Sequence, residues 1–205
     1  FVVYSEAKEA MMSKQITPSR IPVVEKLLTA NEQVAADNRD YFAVRHVTVI
    51  NIMASPGAGK TTLLLATIDA LPECRIGVIE GDVASQVDAE KIAETGTPVV
   101  QINTGGACHL DAPMIRRALP ALPLDDLEMV FVENVGNLIC PANFALGTHK
   151  SILVASIPEG DDKPYKYPGT YRGVDALVIN KIDLLPYVKF DMEYFRRGVA
   201  ALNPG

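Results

Sequence analysis

Residues 51–65, NIMASPGAGKTTLLL, constrain this chain more than any other stretch. The apolar run 47–53 leads into a loop holding Gly57 and Gly59. Lys60, Thr61 and Thr62 follow, and then an apolar run of helical character. Strand, loop and helix in that order make a phosphate-binding turn. Backbone N–H groups must converge on phosphate oxygens, which demands dihedrals and a close approach that a Cβ blocks; Gly57 and Gly59 supply both. The helix N-terminus adds partial positive charge at the same place. Lys60 is expected to reach the β- and γ-phosphates and the Thr61 hydroxyl to coordinate Mg²⁺. Ser55, Ala58 and Thr62 belong to the same expected nucleotide-binding loop. The usual pattern opens with Gly, and Ala54 stands there instead, so the match is one residue short. Neither Ser55 nor Pro56 is a lysine, which argues against the two-lysine variant of this loop.

A phosphate loop needs an α/β core behind it, and 205 residues suffice for one such domain. The net charge of −6 gives no support for nucleic-acid binding or for an anionic membrane surface. No apolar run is long enough to span a bilayer and no signal peptide is recognisable, so a cytoplasmic location is expected. Three cysteines, an odd number, fit core packing or metal binding better than a disulfide framework.

Residues 1–20 show no clear period and read as a loose or peripheral arm. Residues 23–44 carry apolar positions among charges and read as one or two amphipathic helices packing on the core. The expected division is therefore an arm with helices over 1–46 and a phosphate-loop domain over 47–205. Short apolar strands are expected at 75–80, 98–102, 127–133, 151–157 and 174–180, with helices near 85–94, 112–119 and 190–201. Residues 134–149 and 159–172 read as loops, the second of them polar and open to motion. The alternation predicts a mainly parallel, doubly wound sheet flanked by helices, the P-loop NTPase class, with an N-terminal helical extension.

Three constellations carry chemistry. Asp82 ends a short buried strand, where open α/β sheets place ligands. It could hold Mg²⁺ directly or through water, or cap the helix that follows. Glu133 and Gly136 form an ExxG pair at the end of another apolar strand. In phosphate-loop enzymes an acid there binds the Mg²⁺ shell and the Gly N–H senses the γ-phosphate. Glu133 stands in place of the usual Asp, so direct ligation, a water-bridged contact or water positioning are its readings, with a surface acid at a strand end as the alternative. Lys60, Asp82 and Glu133 are the expected catalytic residues, and Thr61, Asp82 and Glu133 the expected Mg²⁺ ligands. Asn180, Lys181 and Asp183 form an Asn-Lys-x-Asp motif. Its carboxylate can accept two hydrogen bonds from guanine, whereas adenine lacks that donor pair, so GTP and GDP are the expected nucleotides.

A further constellation is thiol and imidazole. Cys108 and His109 share one loop and Cys140 lies on another. Such a set suits Ni²⁺ or Zn²⁺, with a water, a nearby side chain or a second subunit completing it. Two packed cysteines and a satisfied histidine are the alternative. Cys74, His46 and His149 read as structural. Cys140 lies four residues after Gly136, so a segment that moves on hydrolysis would carry a metal ligand with it.

Together ASPGAGKTTLL, GDV, QINTGGACHLDA, ENVGNLICP, EGDDKPYKYP and NKIDLLP resemble the hydrogenase nickel-incorporation GTPases known as HypB, of the SIMIBI class that also holds the urease accessory GTPase. The urease branch carries Cys-Pro-His at the metal loop, whereas Cys108-His109 and the Asn-Val-Gly-Asn at 134–137 look like the hydrogenase branch. The resemblance implies a dimerising, slow GTPase that delivers Ni²⁺ during [NiFe]-hydrogenase maturation. It implies two further partners, the nickel chaperone HypA and the hydrogenase large subunit precursor. It places Cys108, His109 and Cys140 on the family's metal site, shared across the dimer, and Lys60, Thr61, Asp82, Glu133, Asn180 and Asp183 on its nucleotide site. Lys163 and Lys166, in EGDDKPYKYP, are candidates for nucleotide or partner contact, with a solvated loop as the plainer reading of each alone. Delivery to another nickel enzyme such as urease, or a metal-binding scaffold with incidental hydrolysis, are the alternative functions. The family's N-terminal Cys-rich or His-rich nickel tract has no counterpart in residues 1–46, and Ala145 and Thr148 stand where the family often has acids. The family also continues past the position of Gly205 with a further strand and guanine loop.

Overall fold

A computed structural model describes residues 23–204, with side chains from Leu27 onward. The arm expected over residues 1–20 lies outside the described residues. The elements in order are α1 (Val23–Val44), β1 (Thr48–Ala54), α2 (Lys60–Ala70), β2 (Ile76–Asp82), α3 (Val87–Ala93) and β3 (Val99–Asn103). There follow α4 (Ala112–Ala118), β4 (Met129–Glu133), β5 (Lys150–Ser156), α5 (Lys163–Lys166), α6 (Pro168–Arg172), β6 (Ala176–Asn180) and α7 (Met192–Leu202).

The strands form one parallel sheet in the order β3-β2-β4-β1-β5-β6. Parallel strands covered on both sides read as near-continuous apolar runs, which is why 48–54, 76–79 and 129–132 carry so few polar residues. The strand period of two divides them between faces. Val49, Ile79, Val130 and Val132 pack with Phe42 of α1 and Ile115 and Ala118 of α4. On the same face, Met53, Leu153 and Ala155 meet Tyr171 of α6 and Phe195 of α7. Ile52, Ala54, Val78, Phe131 and Val154 turn the other way, toward Leu64 of α2 and Ile92 of α3.

Helix starts follow their caps. The Asp111 carboxylate accepts a hydrogen bond from the Met114 N–H (2.7 Å) with Pro113 in the first turn of α4, and Asp191 does the same for Tyr194 (2.9 Å) in α7. Residues 23–44 form one helix, not two. Residues 159–172, read from sequence as a loop, hold α5 and α6. Prolines in the first turn of each favour the helical start. Tyr165 stacks on Tyr194 of α7 with ring centroids 4.3 Å apart. Tyr171 is buried. The prolines that suggested a loop open helices here.

All strands run the same way, so their C-terminal ends share one edge. β1, β2, β4 and β6 each hand over there to a residue singled out above.

Candidate functional site

The phosphate loop spans the end of β1 and the start of α2. Gly57 and Gly59 both adopt left-handed dihedrals, with φ of +72° and +103°. Gly59 caps α2, and a Cβ there would collide with the Asn180 amide. Ala58 is buried and Ser55 half-buried; its hydroxyl donates to the Glu159 carboxylate (2.9 Å). Lys60 begins the helix. Its amine lies 3.9 Å from the Glu133 carboxylate, and the Thr61 hydroxyl donates to that same oxygen (2.8 Å). Thr62 is exposed on the next position of α2.

Glu133 is buried at the end of β4, and its second carboxylate oxygen has no hydrogen-bond partner. Burial raises its pKa, opposed by the Lys60 charge and the Thr61 hydroxyl. A buried carboxylate with one unmatched oxygen beside a threonine hydroxyl is an oxygen donor set that fits a hard divalent cation such as Mg²⁺. Gly136 sits against the phosphate loop: a Cβ on it would come within 3.1 Å of the Pro56 Cα. The loop after β4 therefore touches the loop after β1.

Asp82 ends β2. Its carboxylate accepts from the N–H groups of Ala84 (2.9 Å) and Ser85 (2.6 Å), which lowers its pKa. It closes a turn and leaves the capping position of α3 to Gln86. At least one of its oxygens is thus engaged by backbone.

At the far end of the edge, the Asn180 amide donates to the Ala58 carbonyl (2.9 Å) and the Lys181 amine to the Gly57 carbonyl (2.6 Å). Lys181 itself takes φ +58°. The Asn-Lys-x-Asp segment thus braces the phosphate loop, while Asp183 stands exposed beside it.

The thiol and imidazole residues also converge. One ligand atom each from Cys108, His109 and Cys140 lies within 4.8 Å of the others. Gly105 and Gly106, both at positive φ, turn the first loop, and Thr104 N–H ties its start to the Asp82 carbonyl (2.9 Å). Asn137 accepts from the Ile139 and Cys140 N–H groups (2.8 and 3.3 Å) and shapes the second loop. The His109 ring stacks on Phe144 at 3.8 Å, and burial lowers its pKa, which keeps the imidazole neutral and able to ligate. The neighbouring Cys108 thiol raises the Cys140 pKa. A soft, three-donor set of this kind fits Ni²⁺ or Zn²⁺ and leaves a position open. Cys74 packs with the apolar residues around α2, and the His149 ring nitrogen accepts from the Val49 N–H (2.9 Å); neither joins the cluster.

Three residues escaped the reading of the sequence. Glu80 is buried in β2 opposite Glu133 of β4, and its pKa is pushed up to about 8 by burial and by the Glu133 carboxylate. An acid inside an apolar strand was the available signal. Glu159 accepts from the hydroxyls of Ser55 and Ser156 (2.9 and 2.8 Å). Asn134 is fully buried between the two loop systems. Lys163 lines a cleft of about 340 Å³ with Ser55, Pro56, Gly136 and Ile139, and lies 3.8 Å from Asp162. Lys166 also pairs with Asp162, through an ion pair that raises its pKa.

The nucleotide-binding domain model of the CobW/HypB/UreG family matches residues 48–205. The hydrogenase maturation factor HypB of Escherichia coli (strain K12) is 46% identical over 198 residues, which cover 95% of this chain and 66% of that protein. The probable hydrogenase maturation factor HypB of Methanocaldococcus jannaschii is 43% identical, over 90% of this chain and 84% of that protein. The chain belongs to the HypB branch of this family. The crystal structure of HypB from Helicobacter pylori in complex with nickel superposes with a TM-score of 0.82 at 36% identity, covering 85% of this chain and 83% of that one. The chain thus spans about two thirds of the E. coli relative. The P-loop fold and the HypB membership expected from the motifs are borne out. Among the described residues no helix is long and apolar enough to cross a membrane.

Proposed function

We propose that this chain is a GTP-hydrolysing nickel chaperone for [NiFe]-hydrogenase maturation, in which nucleotide state sets the affinity or geometry of the thiol–imidazole site. The observation that carries this is the convergence of Lys60, Thr61 and Glu133 at one end of the 133–140 segment and of Cys140, with Cys108 and His109, at the other. The family membership and the nickel complex of the H. pylori relative support it.

GTP is the substrate. The N–H groups of 57–62 hold its phosphates and the Lys60 amine offsets their charge. Asn180 and Lys181 stiffen the loop, and Asp183 selects guanine. Thr61 and Glu133, with Asp82 alongside, would hold Mg²⁺, which supplies charge neutralisation to the β- and γ-phosphates when bound. Ni²⁺ is the cargo of Cys108, His109 and Cys140. A second copy of the chain completes the set, so a homodimer is the working form. HypA as nickel source and the hydrogenase large subunit precursor as recipient are the partners that the resemblance to HypB implies. The cytoplasm is the location, and the division is an arm with its helical extension over 1–46 and the nucleotide domain over 47–205.

The test is a Ni²⁺ titration of the protein loaded first with GDP and Mg²⁺ and then with a non-hydrolysable GTP analogue and Mg²⁺. A nucleotide-dependent affinity or stoichiometry that disappears in Cys108→Ala is expected. Equal titrations in the two states would leave a GTPase scaffold with a structural metal.

A further inference from the structure

We propose that Asn134 is the positioning residue through which the nucleotide site acts on the metal loops. The inference rests on the nucleotide-dependent metal site proposed above and names the side chain that makes the connection.

Consecutive residues of a strand point to opposite faces of the sheet. At the end of β4 this alternation splits two neighbours between the two sites. Glu133 follows the face of Phe131, toward α2, and meets Lys60 and Thr61. Asn134 continues the face of Val130 and Val132, toward α1 and α4. Its own N–H still bonds the Ile52 carbonyl of β1 (3.0 Å), so it remains on the ladder and moves with Glu133.

The Asn134 side chain is fully buried and uses both ends of its amide. The oxygen accepts from the Leu110 N–H (3.1 Å) and the Val135 N–H (3.0 Å), and the nitrogen donates to the Asn51 oxygen (3.2 Å). Leu110 is the residue after His109 and is itself fully buried. Its N–H therefore has no water to turn to if Asn134 withdraws, and a buried donor left unmatched is costly. Asn51 lies on β1, three residues before Ala54 and the phosphate loop, and borders a cavity of about 250 Å³ under the second ligand loop, beside Pro141 and Phe144. One side chain thus touches the strand of the phosphate loop, the strand of Glu133 and the loop of Cys108 and His109. Two residues further, Gly136 lies against Pro56 of the phosphate loop. A displacement of 133–136 by a γ-phosphate must drag Leu110 or break its bond. The residue type is demanding: the oxygen takes two donors and the nitrogen supplies one, a set that Asp lacks on the donor side and Leu on both.

The remaining buried amides near the ligands bind from another direction. Asn31 of α1 accepts from the Ala112 N–H (2.8 Å) and donates to the Ala145 carbonyl (2.8 Å). It steadies both ligand loops without touching a strand of the nucleotide site. It is therefore the control.

The experiment measures Ni²⁺ affinity by chelator competition in the full chain, loaded with GDP or with a non-hydrolysable GTP analogue, for wild type, Asn134→Asp, Asn134→Leu and Asn31→Ala. The readout is the ratio of the two dissociation constants, which a loss of stability alone does not move. In the Asn134 variants the ratio is expected to fall to within about twofold of one while nucleotide affinity stays within about threefold of wild type. Asn31→Ala should weaken Ni²⁺ equally in both states and keep the ratio. Asn134 variants that keep the wild-type ratio overturn the proposal and leave the nickel reading intact. A wild-type ratio of one with equal stoichiometry in the two states overturns both, and it is read before any variant is made. If neither Asn134 variant folds, amide hydrogen exchange in wild type decides. Leu110 protection should change between the two nucleotides while that of Ala112 does not; unchanged Leu110 protection overturns the proposal.

Discussion

Glu80 and Glu133 face one another at a single register step of adjacent parallel strands, and each keeps a buried carboxylate oxygen without a hydrogen-bond partner. Two carboxylates in one dry place cannot both ionise cheaply. The Lys60 charge lies near Glu133, and Thr61 bonds it, so the proton settles on Glu80.

The arrangement makes the metal-free protein sensitive to alkali. The Glu80 pKa rises from 4.5 to about 8 on folding. The folded chain then binds more protons than the unfolded one across that interval, and stability falls as pH rises through it. Asp82 shifts the other way, and its contribution is lost only at acid pH. Glu80→Gln should therefore gain stability over wild type at pH 8.5, by several degrees in Tm, and gain little at pH 5. Thermal unfolding in chelator at the two pH values checks this. Taking the difference between variant and wild type cancels the histidines. A difference that does not change with pH would mean that Glu80 is ionised in the fold.

Glu133→Gln keeps the acceptor for the Thr61 hydroxyl and removes the charge. Nucleotide affinity without Mg²⁺ should stay within a few-fold. Single-turnover GTP hydrolysis should fall by about 10²-fold, with the Mg²⁺ half-saturation point moved upward. Hydrolysis that is slow but unchanged in its Mg²⁺ dependence would take Glu133 out of the cation shell and leave it a partner of Lys60 alone.

Asp183 is exposed and free to meet a base, while Asn180 and Lys181 are committed to the phosphate loop. Asp183→Asn replaces two acceptor oxygens by one acceptor and one donor set. Guanine then loses its match and xanthine gains one. GDP affinity should drop by at least about 10²-fold, and XDP should become the better ligand by fluorescence titration. Equal losses for both would show that the change unseated the loop rather than the base.

The parts most legible in the sequence were those in which one local pattern dictates the structure. Gly57, Gly59 and Lys60 fix the turn by backbone and charge. The strands ending at Asp82, Glu133 and Asn180 were visible as apolar runs ending in polar residues. That Cys108, His109 and Cys140 lie on loops leaving one sheet edge is legible too, but packed cysteines fit the sequence equally well, and only the structure brings the three together. What stayed hidden depends on three-dimensional pairing. Glu80 becomes a partner of Glu133 only through the register of β2 on β4. Asn134 read as part of a loop signature, and its side-chain bonds reach positions 24 and 83 residues away. Residues 159–172 read as loop because prolines and glycines are the usual breakers. Here prolines open α5 and α6, and tertiary contact with α7 holds them.

Helix α1 is seated by Asn38 rather than by charge. The Asn38 amide is fully buried and donates to the carbonyls of Ala112 (3.0 Å) and Leu146 (3.1 Å), one beside each loop of the thiol–imidazole cluster. Close beside it, Gly147 at φ +89° lies so near α1 that a Cβ would meet the Ala35 carbonyl and come within 2.7 Å of the Asn38 Cβ. Asn38→Leu fills the volume but removes two buried amide–carbonyl hydrogen bonds, a loss of about 2–4 kcal/mol. For a chain of this size that is a Tm lower by roughly 5–12 °C. Arg39, one residue on, donates to the Thr148 carbonyl (2.8 Å) from an exposed position. Arg39→Ala should cost under about 0.5 kcal/mol. The pair separates two views of the helix by thermal unfolding alone. If α1 is held by its buried amides, the loss follows Asn38; if it is held by its charged outer face, Arg39 and Asn38 cost alike. Because Ala112 and Leu146 flank the two ligand loops, Asn38→Leu should also weaken Ni²⁺ binding to the same degree with either nucleotide.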